Sequence, residues 1–320
     1  MTPAPASAPG NGRAFTRPGV PPQVRAWYGT VTHEGTAMAQ QICVTGATGQ
    51  AGRAVVADLR ERGYEVAATD IAVTRADREE GTLLADLTDY GQAVEALGGA
   101  QAVVHLANIP APGLSTQAVT FNANITMNFN VFQAAAHLRL SRVVWASSET
   151  TLGLPFDVPP RYAPVDEDHF PRPTSTYALS KVASETIAEH FAQWSGIPFV
   201  ALRFSNIMAP ADYQEFPSFW ADARLRKWNL WGYIDQRDVA AACRQALQAP
   251  AEAVEGSRAF IIAAADTVMN RPSADLLAEV FPGVRLTREI GEFGTLLAID
   301  RARQVLGFEP RHSWRDHVLP

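Results

Sequence analysis

A glycine-rich turn between an apolar strand and an amphipathic helix is the feature that most restricts how this chain can fold. The turn reads Thr45-Gly46-Ala47-Thr48-Gly49-Gln50-Ala51-Gly52, with three glycines spaced three residues apart. Glycines at this spacing allow a tight turn and let a diphosphate approach the free N–H groups at the positive end of the helix dipole. Because similar turns also occur as purely structural features, the flanking strand and helix give the motif its weight.

Short β-branched runs alternate with longer amphipathic segments from Gln41 onward. This pattern is typical of a parallel sheet covered by helices on both faces. The predicted strands are residues 42–45, 65–69, 82–84, 102–106, 143–147, 199–202 and 259–263. The predicted helices are residues 51–62, 90–97, 116–137, 176–195 and 238–248. We therefore expect an α/β fold with a doubly wound parallel Rossmann sheet, whose ligand crevice lies at the carboxyl ends of the strands.

The chain divides into three predicted parts. Residues 1–37 are rich in proline, alanine, serine and glycine, and are expected to form a flexible N-terminal extension, with a regulatory or docking arm as the alternative. Met38 directly precedes the first strand, so an upstream in-frame addition to the gene is a further interpretation. Residues 38–205 are expected to form the Rossmann domain. Residues 206–320 are expected to form a small C-terminal substrate lobe, with residues 233–265 returning to the Rossmann core.

Composition narrows the partners that the chain can have. The formal net charge of −6 gives no general attraction to nucleic acids or anionic membranes, and no apolar stretch approaches the ~20 residues that span a bilayer. Cys43, Cys243, His312 and His317 lack the spacing of a disulfide framework or a metal site, and His105 is expected to be a packed core histidine. The expectation is a cytoplasmic protein that acts on a small molecule, without a metal, nucleic acid or membrane partner.

Acidic residues follow the second and third predicted strands. Asp70 stands where a carboxylate can accept hydrogen bonds from both adenosine ribose hydroxyls and would repel a 2′-phosphate, which favours NAD over NADP. Arg75 lies a few residues further on and could instead accept that phosphate. Asp86 is expected either near the adenine amino group or, like Asp89, at a helix N-cap.

A tyrosine and a lysine four residues apart open the fourth predicted helix. Tyr177 and Lys181 share one helical face, where the ammonium would favour the ionised form of the phenol, although such a pair is usually a surface feature. Ser147 and Ser148 follow the fifth strand, so a hydroxyl enters the same crevice. We select Ser148 as the group that binds the reacting substrate oxygen. The order of the glycine turn, the acid, the hydroxyl pair and the helix is the order that one crevice requires.

Taken together, these motifs resemble those of extended short-chain dehydrogenases/reductases of the NAD-dependent epimerase/dehydratase family. The resemblance covers nearly everything from Gln41 to about Val318. Its further matching pieces are Val103-Val104-His105-Leu106-Ala107, Asn124 in the next helix, Leu202-Arg203-Phe204-Ser205-Asn206 and Tyr233-Ile234-Asp235-Gln236-Arg237-Asp238-Val239. The resemblance implies that Tyr177 is the acid/base, that Lys181 also holds the nicotinamide ribose, and that Ser148 orients the substrate.

The sequence motifs and the resemblance together give the expected contacts of the site. Cofactor contacts are expected from Gly46, Thr48, Gly49, Gln50, Ala51, Gly52, Asp70, Asp86, Leu87, Leu106, Ala107, Asn124, Tyr177 and Lys181. Substrate contacts are expected from Asn108, Ser147, Ser148, Glu149, Asn206, Arg224 and Arg226. The two arginines are candidates for pairing with a substrate carboxylate, with a solvated helix face as the alternative. A homodimer is expected through a pair of helices, residues 116–137 and 176–195.

Departures from the family pattern narrow the reaction. The segment between Asn206 and Asp235 is short and lacks the glycine-rich strand and arginine with which nucleotide-sugar enzymes grip a diphosphate. Glu149 and Thr150 follow Ser148 where sugar dehydratases carry Asp and Glu, so dehydration is disfavoured. The compact lobe and the stretch 146–153 resemble uronate dehydrogenases, although their usual Asn-His is replaced by Glu149-Thr150. Trp220, Trp228 and Trp231 are expected either to line the substrate pocket or to pack the lobe.

Three functions therefore stay open. The first is an NAD-dependent oxidoreductase that acts on a small sugar, sugar acid or secondary alcohol by hydride transfer. The second is an epimerase that retains NAD and returns the hydride to the opposite face. The third, from another class, is a regulator that senses NAD without catalysis, and the presence of Tyr177, Lys181 and Ser148 disfavours it.

Overall fold

The computed structural model describes residues 40–317. The predicted extension, residues 1–37, lies outside the described residues. In chain order the strands are β1 (Gln41–Thr45), β2 (Glu65–Asp70), β3 (Leu83–Leu84), β4 (Ala102–His105), β5 (Arg142–Ser148), β6 (Tyr162–Ala163), β7 (Phe199–Phe204), β8 (Ile207–Met208), β9 (Ile234–Asp235), β10 (Ser257–Ile262) and β11 (Arg285–Leu286). Within residues 40–317, seven of them form one parallel sheet in the order β10-β7-β5-β4-β1-β2-β3. The predicted doubly wound Rossmann sheet is confirmed.

Helices connect the strands of this sheet. In chain order they are α1 (Gln50–Glu61), α2 (Arg75–Glu79), α3 (Tyr90–Leu97), α4 (Gln117–Leu138), α5 (Thr176–Ser195), α6 (Gln236–Gln248), α7 (Ser273–Val280) and α8 (Asp300–Leu306). The helices predicted over residues 90–97 and 176–195 have these same bounds. α5 starts after Ser175, whose side chain accepts a hydrogen bond from the Ala178 N–H at 3.1 Å, and stops at Gly196 in the left-handed region at φ 74°.

Both faces of the sheet are covered, which explains why its central strands are apolar throughout. On one face Val55 of α1 and Val239 of α6 join the core, and on the other face Leu97 of α3, Val131 of α4 and Phe191 of α5 do so. All five side chains are essentially buried. Strands buried on both sides read as continuous apolar runs rather than alternating ones, as β1 and β4 do.

A second apolar core forms the lobe beside the sheet. Its centre includes the buried side chains of Trp231, Trp314 and Tyr213. The short strand pairs β6–β11 and β8–β9 lie outside the main sheet. Residues on both sides of position 206 contribute to this core, since Leu152 and Val165 belong to it, whereas Ala302 and Leu306 of α8 pack on the sheet core.

The helices α2, α7 and α8 and the short strand pairs were not predicted from the sequence. Each of these helices spans eight residues or fewer. Such short elements carry little periodicity of their own and form because they pack on the rest of the fold. In the described part of the chain, none of the helices is long and apolar enough to span a bilayer.

Candidate active site

A cavity of about 1110 Å³ lies along the carboxyl ends of the strands, where a Rossmann sheet binds its ligand. It reaches from the glycine turn after β1 to the serines at the end of β5 and the first turn of α5. The predicted site residues on its lining are Gly46, Thr48, Gly49, Gln50, Ala51, Gly52, Asp70, Asp86, Leu87, Leu106, Ala107, Asn108, Ser147, Ser148, Glu149, Tyr177, Lys181 and Asn206. The structure does not bring Asn124, Arg224 or Arg226 to the part of the lining that it describes.

The glycine turn has no room for side chains at two of its three glycines. Gly46 has φ +69°, and a Cβ on it would lie 2.6 Å from the Ala107 backbone nitrogen. A Cβ on Gly52 would lie 2.0 Å from the Gly46 carbonyl oxygen. Gly49 is the N-cap of α1, without a side-chain cap, and its missing Cβ leaves space on the cavity side. A helix N-terminus at the cavity surface without a side-chain cap fits a dinucleotide diphosphate.

Asp70 lies on the lining of the cavity, and hydrogen bonds from neighbouring residues hold its side chain in place. Its Oδ2 accepts hydrogen bonds from the Thr48 N–H at 3.0 Å and the Thr48 hydroxyl at 2.8 Å, and its Oδ1 accepts from the N–H groups of Ile71 at 2.7 Å and Ala72 at 3.2 Å. The predicted ribose acceptor therefore also fixes the glycine turn to the end of β2. Its position in the cavity still opposes a 2′-phosphate by charge.

The two acids that follow β3, Asp86 and Asp89, have different roles. Asp89 is the N-cap of α3 and accepts from the Gln92 N–H at 2.9 Å. Asp86 lies on the lining and accepts from the Thr88 backbone and hydroxyl. Arg75 pairs with Glu79 at 2.8 Å on an exposed helix and is absent from the described lining.

Tyr177 and Ser148 meet at the other end of the cavity. Burial raises the pKa of Tyr177 to about 12, a hydrogen bond with Ser148 opposes that rise, and the Glu149 charge adds to it. The Ser148 oxygen accepts hydrogen bonds from the Thr150 N–H at 3.2 Å and the Thr150 hydroxyl at 3.0 Å. Since Ser148 receives two hydrogen bonds, its own proton is free to be donated to a ligand oxygen or to Tyr177.

Lys181 lies one turn after Tyr177 and is buried. Its ammonium donates to Asn108 Oδ1 at 3.0 Å and to the Ala146 carbonyl at 2.7 Å, and lies 5.6 Å from the Tyr177 ring centroid. Burial lowers the pKa of Lys181 to about 7. In the protein without NAD, desolvation has the largest effect on the pKa of the Tyr177 phenol and raises it above its ordinary value.

A buried polar chain supports Lys181 from behind. His105 Nδ1 and the Thr45 hydroxyl are 2.7 Å apart, and His105 Nε2 and Asn128 Oδ1 are 2.9 Å apart. Asn128 Oδ1 also accepts from Asn108 Nδ2 at 3.0 Å, and Asn108 in turn accepts from Lys181. Burial lowers the pKa of His105 to about 3, so its ring is neutral. The prediction of a packed, hydrogen-bonded core histidine is confirmed.

Glu185 is a functional candidate that the sequence analysis missed. It follows Lys181 by one more helical turn and accepts from the Ser147 hydroxyl at 2.6 Å. Arg203 of β7 donates to both of its carboxylate oxygens, at 2.9 and 2.7 Å. The charge of Glu185 acts to raise the pKa of Lys181. Its spacing of four residues from Lys181 is a signal that could have identified it.

Glu149 is a buried carboxylate on the substrate side of the lining. It is 3% exposed, and its oxygens accept from the Ser205 hydroxyl at 2.6 Å and from Asn229 Nδ2 at 3.1 Å. Burial raises the pKa of Glu149 to about 7, against the opposing effects of these hydrogen bonds and of the Arg226 charge. Ser205 and Asn229 were not among the predicted site residues.

Three predicted site residues take other positions. Asn124 is fully buried behind the lining, where it accepts from the Ile109 N–H at 2.8 Å and donates to the Ile109 carbonyl at 3.1 Å, so it fixes the loop after β4. Arg224 is exposed, with its nearest carboxylate, that of Asp222, 4.0 Å away. Arg226 is buried against the rings of Phe219 and Trp228, at 5.0 and 4.7 Å from their centroids.

Of the three tryptophans considered for the pocket wall, Trp228 lines the cavity. Trp231 is buried in the lobe core and donates through Nε1 to the Ala223 carbonyl at 2.7 Å. Trp220 donates to the Val268 carbonyl at 3.0 Å and packs against Trp314, with ring centroids 5.4 Å apart. Lobe packing thus accounts for two of the three.

The sequence of this chain is similar to a protein family and to several dehydrogenases. Residues 42–263 match the sequence model of the NAD dependent epimerase/dehydratase family. The NAD-dependent glucose-6-phosphate dehydrogenase of Haloferax volcanii is 28% identical over 204 residues, covering 58% of this chain and 77% of that protein. The L-arabinose 1-dehydrogenase (NAD(P)(+)) of the same organism is 29% identical, covering 55% and 70%. A uronate dehydrogenase of Pseudomonas syringae is 26% identical, covering 56% and 64%.

Solved structures agree with the fold. A short-chain dehydrogenase/reductase superfamily protein of Agrobacterium tumefaciens, crystallised with bound NAD, superposes with a TM-score of 0.67 at 24% identity. The match covers 86% of this chain and 94% of that one. It extends the correspondence beyond residues 42–263 into the lobe.

Proposed function

Because the chain belongs to the NAD-dependent epimerase/dehydratase family, we propose that it is an oxidoreductase that transfers hydride between NAD and a hydroxyl-bearing carbon of a small sugar, sugar acid or secondary alcohol. One observation carries the proposal. Tyr177 and Lys181 of α5 and Ser148 at the end of β5 line one end of the cavity, and the glycine turn, about 100 residues earlier in the sequence, lines the other end. The names of the relatives support this reaction class, since three of them are sugar or sugar-acid dehydrogenases.

The residues of the chain divide the proton chemistry between them. Tyr177 takes the proton of the substrate hydroxyl, and Ser148 donates a hydrogen bond to the same oxygen. The two hydrogen bonds from Thr150 fix the Ser148 oxygen, so that its proton is directed away from Thr150. Bound NAD supplies the hydride acceptor.

Other residues position the reactants. We assign Lys181 to the nicotinamide ribose, where Asn108 and the Ala146 carbonyl hold its ammonium in place. The turn of residues 46–52 and Asp70 are assigned to the diphosphate and the adenosine ribose. Both acids at the adenosine end of the lining, Asp70 and Asp86, favour NAD over NADP by charge.

The assembly and compartment are also proposals. The helices α4 and α5 expose Val119, Phe129, Leu179 and Trp194 to an extent of 44–64%. We propose that these helices pair across a homodimer, which light scattering of the wild-type protein and of a Phe129→Asp variant would test. Cys43 and Cys243 are buried and unpaired, which suits the reducing cytoplasm that we propose as the compartment.

The test is a screen for NADH formation with the purified full chain, NAD, and a panel of free sugars, sugar acids and secondary alcohols. We expect the absorbance of NADH to rise with at least one class of substrate. Silence with every class, and with the matching carbonyl compounds and NADH in the reverse direction, while NAD still binds, would contradict the proposal. Interconversion of isomers without net NADH would support the epimerase instead.

A further inference from the structure

The charges on the cavity lining differ from those that an anionic substrate would need. Asp70 and Asp86 lie at the adenosine end, and Glu149 lies at the substrate end. Among the residues that the structure describes, Lys181 is the single lysine or arginine on the lining. Its ammonium donates to Asn108 and to the Ala146 carbonyl, and its third donor is assigned above to the nicotinamide ribose. The substrate end therefore offers a carboxylate, with no uncommitted cation beside it on the described lining.

From this arrangement we propose that Glu149 makes the enzyme selective for neutral polyhydroxylated substrates over carboxylated or phosphorylated ones, an inference that rests on the function proposed above. A buried carboxylate is a strong acceptor for substrate hydroxyl groups. The same carboxylate repels an anionic group in the small volume of the site.

Glu149 is held in place by hydrogen bonds and can still accept one more from a substrate hydroxyl. Its side chain receives hydrogen bonds from Ser205, from Asn229 and from the backbone of Asn206. A carboxylate has roughly four lone-pair positions, so these donors leave an acceptor position for a substrate hydroxyl. Ser205 and Asn206 lie on the lining beside Glu149, which surrounds that position with further polar groups.

Arg226 acts on the charge of Glu149 and does not lie on the described lining of the cavity. Its guanidinium lies between the rings of Phe219 and Trp228, and its positive charge acts to lower the pKa of Glu149. Trp228, which does line the cavity, stands over this guanidinium. Arg226 Nε and Nη2 are buried without a hydrogen-bond partner, so an anion that reached them would gain two charge-assisted bonds. A substrate that contacts Glu149 and one that contacts Arg226 should therefore show opposite charge preferences.

Matched substrate pairs separate these cases. We would measure kcat/KM of the full chain with NAD at pH 9 for an aldohexose, the corresponding hexuronate, and the 6-phosphate of the same sugar, because Glu149, with a pKa of about 7, is ionised at that pH. These three differ in charge at one carbon only. Repulsion between two like charges about 4 Å apart in a protein site would by itself exceed 100-fold in affinity, and proton uptake by Glu149 limits the discrimination at pH 9 to about 100-fold. We therefore expect the aldohexose to be preferred by about that factor over both anions.

Glu149→Gln removes the charge and keeps the shape and the ability to accept from Asn229. It is expected to narrow the preference for the aldohexose to below about 10-fold, mainly because kcat/KM for the anions rises. Glu215→Gln, which removes an exposed carboxylate of the lobe, is the matched control and should leave the ratio unchanged. The wild-type ratio is informative even if Glu149→Gln does not fold.

The outcomes are distinct. Preference of the wild-type enzyme for the hexuronate or the 6-phosphate overturns the inference and leaves the oxidoreductase standing, and loss of that preference in Arg226→Ala would assign the anion to Arg226. A Glu149→Gln variant that folds but keeps the wild-type ratio also overturns it. Failure of every substrate, neutral or anionic, to reduce NAD would instead defeat the proposed function itself.

Discussion

The two ends of the cavity are built in different ways. The cofactor end consists mainly of backbone and of residues close to the glycine turn, where a side chain on Gly46 would collide with the Ala107 backbone and one on Gly52 with the Gly46 carbonyl oxygen. The substrate end is assembled from side chains of separate elements, such as Glu149 with Ser205 and Asn229. Backbone geometry tolerates little change, whereas side chains can be exchanged while the scaffold persists. The comparison explains how one fold can keep a cofactor and change substrates.

At the cofactor end, the largest effect of a substitution is expected at Gly52. A Gly52→Ala Cβ would lie 2.0 Å from the Gly46 carbonyl oxygen, a backbone atom that cannot yield without distorting the turn. We expect NAD affinity to fall by more than about 100-fold and the protein to lose several kcal/mol of stability, on the order of 3 kcal/mol or more. Calorimetric titration with NAD and urea unfolding measure both. Gly283→Ala, where nothing lies within 4 Å, is the control, and near-normal NAD binding by Gly52→Ala would contradict this account.

Among the residues that support the reacting groups of the substrate end, the largest effect is expected at Glu185. Glu185→Gln removes the charge that raises the pKa of Lys181 and one partner of the buried Arg203. We expect kcat to fall about 10- to 100-fold, and the alkaline limb of the pH profile to move to lower pH because the pKa of Lys181 falls further below about 7. A merely structural role would lower stability without moving that limb. Glu189→Gln, an exposed acid on the same helix, should change neither quantity.

A smaller effect concerns stability rather than rate. The pKa of Glu149 is about 7 in the folded protein, against an ordinary value of 4.5, so the native state binds the proton more tightly and stability falls as pH rises through this interval. Glu149→Gln cannot titrate. Relative to wild type, the free energy of unfolding of this variant should therefore rise by about 3 kcal/mol between pH 4 and pH 8, measured by urea unfolding. A difference independent of pH would show that Glu149 is not buried as a carboxylate.

The smallest expected effect tests the loop between the two ends. Asn124→Ala removes both hydrogen bonds to the Ile109 backbone, at a cost of about 1–2 kcal/mol. Because that loop lines the cavity, we expect KM for substrate to rise several-fold with kcat changed less. Asn122→Ala, an exposed residue of the same helix, is the comparison. Equal KM and kcat values for the two variants would show that the loop after β4 does not contribute to substrate binding.

The sheet and the cofactor end were predictable from sequence because their signals are local. The glycine spacing and the apolar runs recur within a few residues, and Tyr177 and Lys181 lie one turn apart on a helix whose bounds were predicted in full. The end of the fifth predicted strand placed Ser148 on the same cavity, and family resemblance added Asn108 and Asn206, which the structure also places on the lining.

Features that depend on distant contacts were not predictable. Periodicity shows which face of a helix is apolar, but it does not show that Arg226 would lie between two aromatic rings or that Asn124 would bind the Ile109 backbone. Likewise, the pairing of Ser147 and Arg203 with Glu185 joins residues up to 38 positions apart. The energy of such contacts belongs to the packed molecule rather than to any one segment.

Tyr177 is expected to perform proton transfer beside a dinucleotide that the rest of the cavity holds. The most direct measurement compares Tyr177→Phe with wild type in two quantities, kcat/KM for NADH formation and Kd for NAD. Removing one hydroxyl at an acid/base position is expected to reduce kcat/KM about 1000-fold and to change the Kd for NAD by less than about threefold. Turnover close to the wild-type level, or loss of NAD binding in parallel with the loss of rate, would contradict it.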